Sequence, residues 1–136
     1  FFAPHAFEID RLDRLEREVF GPILHVVGFD GSRLDQVVDA ANATGYGLTF
    51  GIHSRIDDTV RRVRARVRAG NLYVNRNMIG AVVGVQPFGG EGLSGTGPKA
   101  GGPRYLHRFA VERTVSTDTT AAGGNAALLS LDDEEG

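Results

Sequence analysis

The sequence contains no cysteine among its 136 residues. Disulfide bonds, thiolate metal ligands and a cysteine nucleophile are therefore excluded within these residues, and nothing in them requires an oxidising compartment. No apolar run approaches the ~20 residues that a membrane-spanning helix needs. The formal net charge is −2, so charge gives no reason to expect nucleic acid or an anionic membrane surface as a partner of this segment.

The residues that are present have the composition of an ordinary globular protein, 41% hydrophobic and 24% charged. The first residues, Phe1–Pro4, show neither an initiator Met nor a signal pattern, so we expect the chain to come from within a longer protein. There are 19 glycines, mostly between residues 70 and 124. That concentration predicts loops in which the backbone approaches another group closely.

Apolar spacing predicts strands that alternate with helices over the first 75 residues. Residues 1–9 are expected to be extended, and the expected order then continues with a strand covered on both faces at 23–29, a helix ending near Thr44, strand 48–53, a helix ended by Gly70, and strand 71–75. Ser32 is the expected N-cap of the first helix, and Ser54 or Asp57 that of the second. This alternation predicts an α/β fold with a largely parallel sheet.

Regular periodicity ends in a glycine-rich loop between Gly80 and Pro103. After it we expect a helical turn at Tyr105–Phe109, an edge strand at Ala110–Thr117, a small apolar tail and a disordered acidic end. The predicted division is a main part at 1–109, a strand segment at 110–118 and a tail at 119–136.

The pattern Gly90-Glu91-Gly92-Leu93-Ser94-Gly95 fits the dinucleotide fingerprint letter for letter. That site needs a strand before the glycines and a helix N-terminus after them, to hold the pyrophosphate. Here Pro87 precedes them, and Pro98 and Pro103 follow, which prevents a long helix. We therefore expect no Rossmann site.

Two features remain as candidates for binding. The backbone N–H groups around Ser94 and Gly95 are expected to be free and to suit an anion such as a carboxylate; the alternative is a loop that only packs. Glu18, before the buried strand and followed by Gly21-Pro22, could accept hydrogen bonds from vicinal hydroxyls; the alternative is a plain surface charge.

Other charged residues give weaker indications. The four histidines show no ligand-pair spacing, so no metal site is expected. Five arginines between Arg61 and Arg68 share a helix with Asp57 and Asp58, which favours a solvated face over a nucleic-acid patch. Asp39 and Glu91 give no obvious pair of carboxylates.

Four ordered segments resemble the aldehyde dehydrogenase superfamily: Glu18-x-Phe20-Gly21-Pro22, Asn42-x-Thr44-Gly45-Tyr46-Gly47-Leu48-Thr49, Gly70-Asn71-x-x-Val74-Asn75, and Pro87-Phe88-Gly89-Gly90. The resemblance covers roughly residues 1–117. It implies a parallel-sheet fragment of the dehydrogenase catalytic domain, with a last strand used for oligomerisation and a homo-oligomer as the assembly.

A narrower resemblance concerns the substrate. Gln86–Gly90 and Leu93–Pro103 resemble the L-glutamate γ-semialdehyde dehydrogenases, whereas general aldehyde dehydrogenases usually carry Lys-x-Ser-Gly-x-Gly-Arg-Glu there. Thr119–Ala126 resembles the C-terminal motif of bifunctional proline utilization A proteins, which add a flavin-dependent proline dehydrogenase. FAD would then belong only to that upstream domain, and the location would be cytoplasmic, with peripheral contact at the inner membrane left open.

The resemblance also implies roles for individual residues. Glu18 would hold the ribose hydroxyls of the nicotinamide half of NAD, and Phe20 would lie beside the nicotinamide. Ser94 and Gly95 would hold the α-carboxylate of L-glutamate γ-semialdehyde, and Phe88 would line the aldehyde pocket. The catalytic cysteine, whose thiolate attacks the aldehyde, and the dinucleotide-binding domain would lie upstream, in the same polypeptide. This segment would contribute orientation, and we expect it to be inactive alone.

Two alternatives stay open. One is a non-enzymatic oligomerisation or interaction module, in which Ala110–Thr117 adds to a partner's sheet. The other is a dehydrogenase of a different acidic semialdehyde.

Overall fold

A computed structural model describes residues 1–82, 84–118 and 121. In this part of the chain, six strands and two α-helices follow one another in this order: β1 (His5–Glu8), β2 (Ile23–Val26), α1 (Leu34–Ala43), β3 (Tyr46–Gly47), β4 (Thr49–Ile52), α2 (Asp57–Arg66), β5 (Asn71–Val74) and β6 (Glu91–Gly92). Short 3-10 turns lie at Leu12–Arg14, Gly31–Arg33 and Leu106–Phe109.

The strands form three pairs, two of them parallel. β1 pairs with β2, and β4 pairs with β5, both in parallel; β3 pairs with β6 in antiparallel. The predicted α/β class with parallel strands is therefore confirmed. The strands do not join into one sheet, since β2 pairs with β1 and not with β4. Helix α2 forms the crossover between β4 and β5, because parallel neighbours cannot be joined by a tight hairpin turn.

Helices α1 and α2 pack against each other around two valines. Val38 and Val63 are only 1% and 2% exposed, and they come from the apolar stripes that predicted the two helices. Two ion pairs bridge the helices at the surface: Arg66 donates to both carboxylate oxygens of Asp39, at 2.6 and 2.5 Å, and Arg62 donates to Asp35 at 3.0 Å. The arginine-rich face is thus partly an interhelical contact.

The Arg66–Asp39 pair has an electrostatic signature. The hydrogen bond from Arg66 is the main cause that holds the pKa of the Asp39 carboxyl below its usual value, against a weaker desolvation effect. The same bond raises the pKa of Arg66. The pair therefore favours the charged form of both groups.

The predicted helix caps were wrong at both helices. Asp30, not Ser32, caps the 3-10 turn before α1, and its side chain accepts a hydrogen bond from the Ser32 N–H at 2.8 Å. Hydrogen bonding to the side chain of Ser32, and then to its backbone, lowers the pKa of Asp30. At α2 the residue before the first turn is Ile56, without a side-chain cap. The Ser54 hydroxyl instead accepts from the Ile56 N–H at 3.1 Å, so the serine shapes the turn that leads into the helix.

One face of β2 is open, contrary to the expectation of cover on both faces. Leu24 is 59% exposed and Val26 46% exposed, because none of the described elements packs over these side chains. The apolar run is real, but the atoms that would cover it are not in the described part of the chain. An uncovered apolar strand face of this kind is typical of a surface that meets other protein.

The residues after the glycine-rich loop depart from the prediction in one respect. The helical turn is confirmed as the 3-10 turn at Leu106–Phe109, where the Tyr105 and Phe109 rings meet edge to face with centroids 5.6 Å apart. The expected strand at Ala110–Thr117 is not formed: these residues belong to no strand pair of the described part of the chain. The tail at 119–136 lies outside the described residues, apart from Ala121.

Candidate functional site

The glycine-rich loop folds back onto the strands instead of leading into a helix. Phe88 and Ala100 close its base through two backbone hydrogen bonds of 3.0 and 2.8 Å. Its tip, β6, pairs with β3, and the Leu93 N–H donates to the Gly45 carbonyl at 2.9 Å. The next helical turn in the described residues begins at Leu106, so the glycines are not followed directly by the helix N-terminus that a dinucleotide fingerprint requires.

The glycines serve close backbone packing. A Cβ on Gly95 would lie 2.7 Å from the Gly90 carbonyl oxygen, and one on Gly92 would lie 2.5 Å from that of Gly45. Gly92 also adopts φ +59°, which side chains disfavour. A substitution at Gly95 would therefore disturb the loop itself before it met any ligand.

The backbone groups at Ser94 and Gly95 are not free, which corrects one argument from the sequence. The Ser94 N–H donates to the Glu91 carbonyl at 3.0 Å, and the Gly95 N–H donates to the Gly92 carbonyl at 3.4 Å. These bonds belong to the turn that follows β6. The bond at Gly95 is long, so this N–H is the more readily shared of the two.

The Ser94 side chain ties the loop to β3. Its Oγ accepts a hydrogen bond from the Gly47 N–H at 3.0 Å, and within the described residues its own proton is given to no acceptor. The hydroxyl is half-buried. It can therefore donate to an anion while it holds its backbone partner.

A second tie was missed by sequence reasoning. The buried Asn71 of β5 donates from Nδ2 to the Pro87 carbonyl at 3.1 Å, and its Oδ1 accepts from the Lys99 ammonium at 3.1 Å. Lys99 also donates to the Gly70 carbonyl and reaches that of Pro87 at 3.5 Å. The available signals were an asparagine inside a strand and the single lysine of the sequence.

Glu18 and Phe20 lie on the segment that leads into β2. Within the described residues, the Glu18 carboxylate makes no hydrogen bond or ion pair, and the Phe20 ring is 92% exposed. Gly21 follows with φ +136°, so the chain turns there before the strand. The carboxylate is consequently open to donors from a ligand.

The structure brings some of the predicted site residues together and leaves others apart. A cavity of about 490 Å³ has both Glu18 and Ser94 in its lining, along with Thr49 and Phe50. Neither Phe20 nor Phe88 lines it. Gly95 borders a different hollow, beside Thr96 and Lys99.

The described residues also bear on two other kinds of site, a metal site and a membrane-spanning helix. No group of three His, Asp or Glu side chains there could hold a metal ion. The His5 ring stacks on the Phe7 ring with centroids 6.0 Å apart, and the Phe2 ring lies tilted against it at 4.8 Å. No helix in this part of the chain is long and apolar enough to cross a membrane.

The fold and the loop are those of a known class of enzyme. The model of the aldehyde dehydrogenase family matches residues 2–115. The chain therefore belongs to the aldehyde dehydrogenase family, and the resemblance seen in the four motifs is confirmed.

Individual relatives narrow the comparison. The chain is 56% identical over 129 residues to the bifunctional protein PutA of Rhizobium meliloti, covering 95% of the chain and 10% of that protein. A crystal structure of a mutant of proline utilization A from Bradyrhizobium japonicum superposes with a TM-score of 0.82 at 64% identity, covering 89% of this chain and 12% of the other. A 1-pyrroline-5-carboxylate dehydrogenase from Thermus with bound NAD gives 0.71 at 42%, covering 80% and 21%. The chain thus spans about a tenth of the bifunctional relatives and a fifth of the dehydrogenase.

Proposed function

We propose that the chain is the C-terminal part of an NAD-dependent dehydrogenase that oxidises L-glutamate γ-semialdehyde to L-glutamate in proline catabolism. The similarity to PutA and 1-pyrroline-5-carboxylate dehydrogenase proteins supports this substrate. The observation that carries the proposal is the loop at 86–103, held against β3 and β5 with the Ser94 hydroxyl proton unused by the described residues. Such a loop can present donors to a carboxylate at a fixed place.

The cofactor side of the site is Glu18. Its carboxylate has no partner in the described residues, and it lines the same cavity as Ser94. This arrangement suits vicinal hydroxyls, which donate two hydrogen bonds to one carboxylate. NAD, when bound, accepts the hydride; Glu18 would fix its ribose, and the exposed Phe20 ring would lie against the nicotinamide.

The substrate side of the site is Ser94 with Gly95. The Ser94 hydroxyl would donate to the substrate α-carboxylate, and the Gly95 N–H would leave its long bond to Gly92 to donate to the same group. Hydrogen bonds to a charged acceptor are stronger than neutral ones. Phe88, at the base of the loop, would line the path of the aldehyde chain. These contacts orient the substrate and exclude water; they make no bond to the reacting carbon.

The nucleophile must come from another part of the polypeptide. The sequence holds no cysteine, and we propose that the upstream part of the same protein supplies it. The chain expressed alone is expected to give no NADH with any aldehyde. A proline dehydrogenase domain with its FAD would lie further upstream.

The test uses a protein of the relatives' length that ends in this chain. NADH formation is followed at 340 nm with glutamate semialdehyde and with propanal, which has no carboxylate. We expect kcat/KM to be much higher for glutamate semialdehyde. Equal values would overturn the substrate assignment, and a preference for another acidic semialdehyde would replace it by that alternative.

A second role is favoured by the exposed segment at 110–117. Val111 is 91% exposed and Val115 is 74% exposed, and no described strand pairs with them. β-branched residues on an unpaired segment suit addition to another sheet. We propose that this segment contacts a second subunit of a homo-oligomer. As a sole function, without catalysis, it would make the chain an interaction module.

A further inference from the structure

Lys99 is the only lysine in the sequence; the other fourteen of the 15 basic residues are arginines. Its ammonium is directed at three oxygen acceptors: the Gly70 carbonyl, Asn71 Oδ1 at 3.1 Å and the Pro87 carbonyl at 3.5 Å. An ammonium carries three donors that can rotate to separate acceptors, whereas a guanidinium presents a planar fork. This position therefore uses the one basic side chain whose geometry fits.

The three acceptors belong to different parts of the scaffold. Gly70 and Asn71 lie at the start of β5, which is paired with β4. Pro87 lies at the entrance of the glycine-rich loop, and Lys99 itself lies at its exit, next to the bridge between Phe88 and Ala100. Lys99 thus joins both ends of the loop to one strand.

The backbone of the loop packs closely around the Lys99 side chain. A Cβ on Gly89 would lie 3.3 Å from the Lys99 Cα and 3.4 Å from its Cγ, so the stem of the lysine packs against the loop's own backbone. The charge is not neutralised by an ion pair within the described residues; its partners are carbonyl and amide oxygens. These contacts fix position, since carbonyl acceptors must be met at defined directions and distances.

We propose that Lys99 is a positioning residue that determines specificity. By holding both ends of the loop on β5, it would set where Ser94 and Gly95 meet the substrate carboxylate. The inference rests on the proposed glutamate-semialdehyde function and adds the residue on which its selectivity depends. Lys99 would act through the loop and would not touch the substrate.

The test compares Lys99→Met, which removes the three bonds, with Lys99→Arg, which keeps the charge but changes the donor geometry. Both are made in the full-length protein, and KM and kcat are measured for glutamate semialdehyde and for propanal. The matched control is Arg104→Met, because Arg104 is exposed and makes no hydrogen bond with the described residues. Thermal melting of each variant reports general loss of stability.

We expect Lys99→Met to raise KM for glutamate semialdehyde about tenfold, equivalent to about 1.4 kcal/mol, with less than a twofold change in kcat or in KM for propanal. Lys99→Arg should show a smaller rise with the same selectivity, and Arg104→Met none. A selective rise in Lys99→Arg alone suffices if Lys99→Met does not fold.

Two results would overturn the inference while the substrate assignment stands. Equal losses on both substrates would mean that Lys99 only supports the fold. Normal kinetics in Lys99→Arg would mean that its charge, not its geometry, matters. If instead the unmodified enzyme shows no preference for glutamate semialdehyde, the proposed function itself fails, and the role of Lys99 fails with it.

Discussion

The Ser94 hydroxyl is the most informative single group to remove, because it has two separable tasks. It accepts the Gly47 N–H at 3.0 Å, which concerns the fold, and it is proposed to donate to the substrate carboxylate, which concerns binding. Ser94→Ala removes both. The two losses are told apart by measuring stability and kinetics on the same preparation.

The magnitudes follow from the surroundings of each bond. A neutral intramolecular hydrogen bond contributes about 0.5–1.5 kcal/mol, and Ser94 is only half-buried, so water can replace part of the loss at Gly47. We expect the stability cost to stay below about 1 kcal/mol. The lost bond to the carboxylate should cost about 1–2 kcal/mol of binding, which is roughly a 5- to 30-fold rise in KM.

The assay follows NADH formation with glutamate semialdehyde and with propanal, alongside a urea unfolding curve. Ser54→Ala is the control, because the Ser54 hydroxyl also accepts a backbone N–H, from Ile56 at 3.1 Å, far along the chain from the loop. We expect that control to change stability slightly and neither KM. If Ser94→Ala affects both substrates equally, the hydroxyl serves only the loop, and its assignment to the carboxylate is refuted.

Three other predictions concern the cofactor, the helix pair and the terminal segment. Glu18→Gln should raise KM for NAD about 10- to 150-fold, since bonds to a charged acceptor contribute about 1.5–3 kcal/mol. The control is Glu8→Gln, because Glu8 is exposed on β1 and does not line the cavity; unchanged NAD kinetics in Glu18→Gln would make Glu18 a plain surface charge. Asp39→Asn should lower the free energy of unfolding at pH 7, measured by urea titration of the full-length protein. Folding lowers the pKa of Asp39, so the ionised carboxylate stabilises the fold at pH values above its unfolded pKa, near 3.9. That difference should fade as the pH falls through the folded pKa, and Asp58→Asn, which removes a pair within one helix, should show little of it; a difference that does not shrink at all as the pH is lowered would contradict the ion-pair explanation. Crosslinking in the full-length protein should join residues 110–117 to another subunit, and crosslinks confined to their own subunit would remove the oligomer role.

The elements with regular spacing could be predicted from the sequence. Both helices have their buried valines on the expected stripes, and β4 and β5 lie within a residue or so of the expected ranges. Their signal is local, because four to ten residues of periodic apolar side chains suffice to indicate a helix or strand. Parallel pairing followed from the helix between the strands.

The β3–β6 pair could not be predicted. Each strand has two residues, Tyr46–Gly47 and Glu91–Gly92, and two residues carry no period. Their pairing depends on contacts between segments more than 40 positions apart, such as the Gly47 N–H to Ser94 Oγ bond. The expectation of free N–H groups at Ser94 and Gly95 failed for the same reason, because a glycine-rich pattern does not reveal which turn it forms.

Three asparagines of the family motifs hold backbone segments together through their side-chain amides. The Asn42 amide bonds the Arg66 carbonyl and the Arg68 N–H at 2.9 and 2.8 Å, and so closes the end of α2. The Asn75 amide makes two bonds of 2.9 Å with the backbone of Ser54, from a φ of +55°. Each amide supplies the hydrogen bond that a backbone group would otherwise lack, as Asn71 does for the Pro87 carbonyl in the loop.

These asparagines belong to the motifs on which the family resemblance rested, yet they hold backbone segments together and touch no proposed ligand. Motifs of this kind reflect the scaffold, because in this chain their amide bonds join backbone segments. They carry little information on the substrate. We propose that this information lies mainly in the loop between Leu93 and Pro103, where Ser94 is tied to β3 and Lys99 to β5. The substrate assignment therefore depends on measurements at these two residues more than on any further similarity along the scaffold.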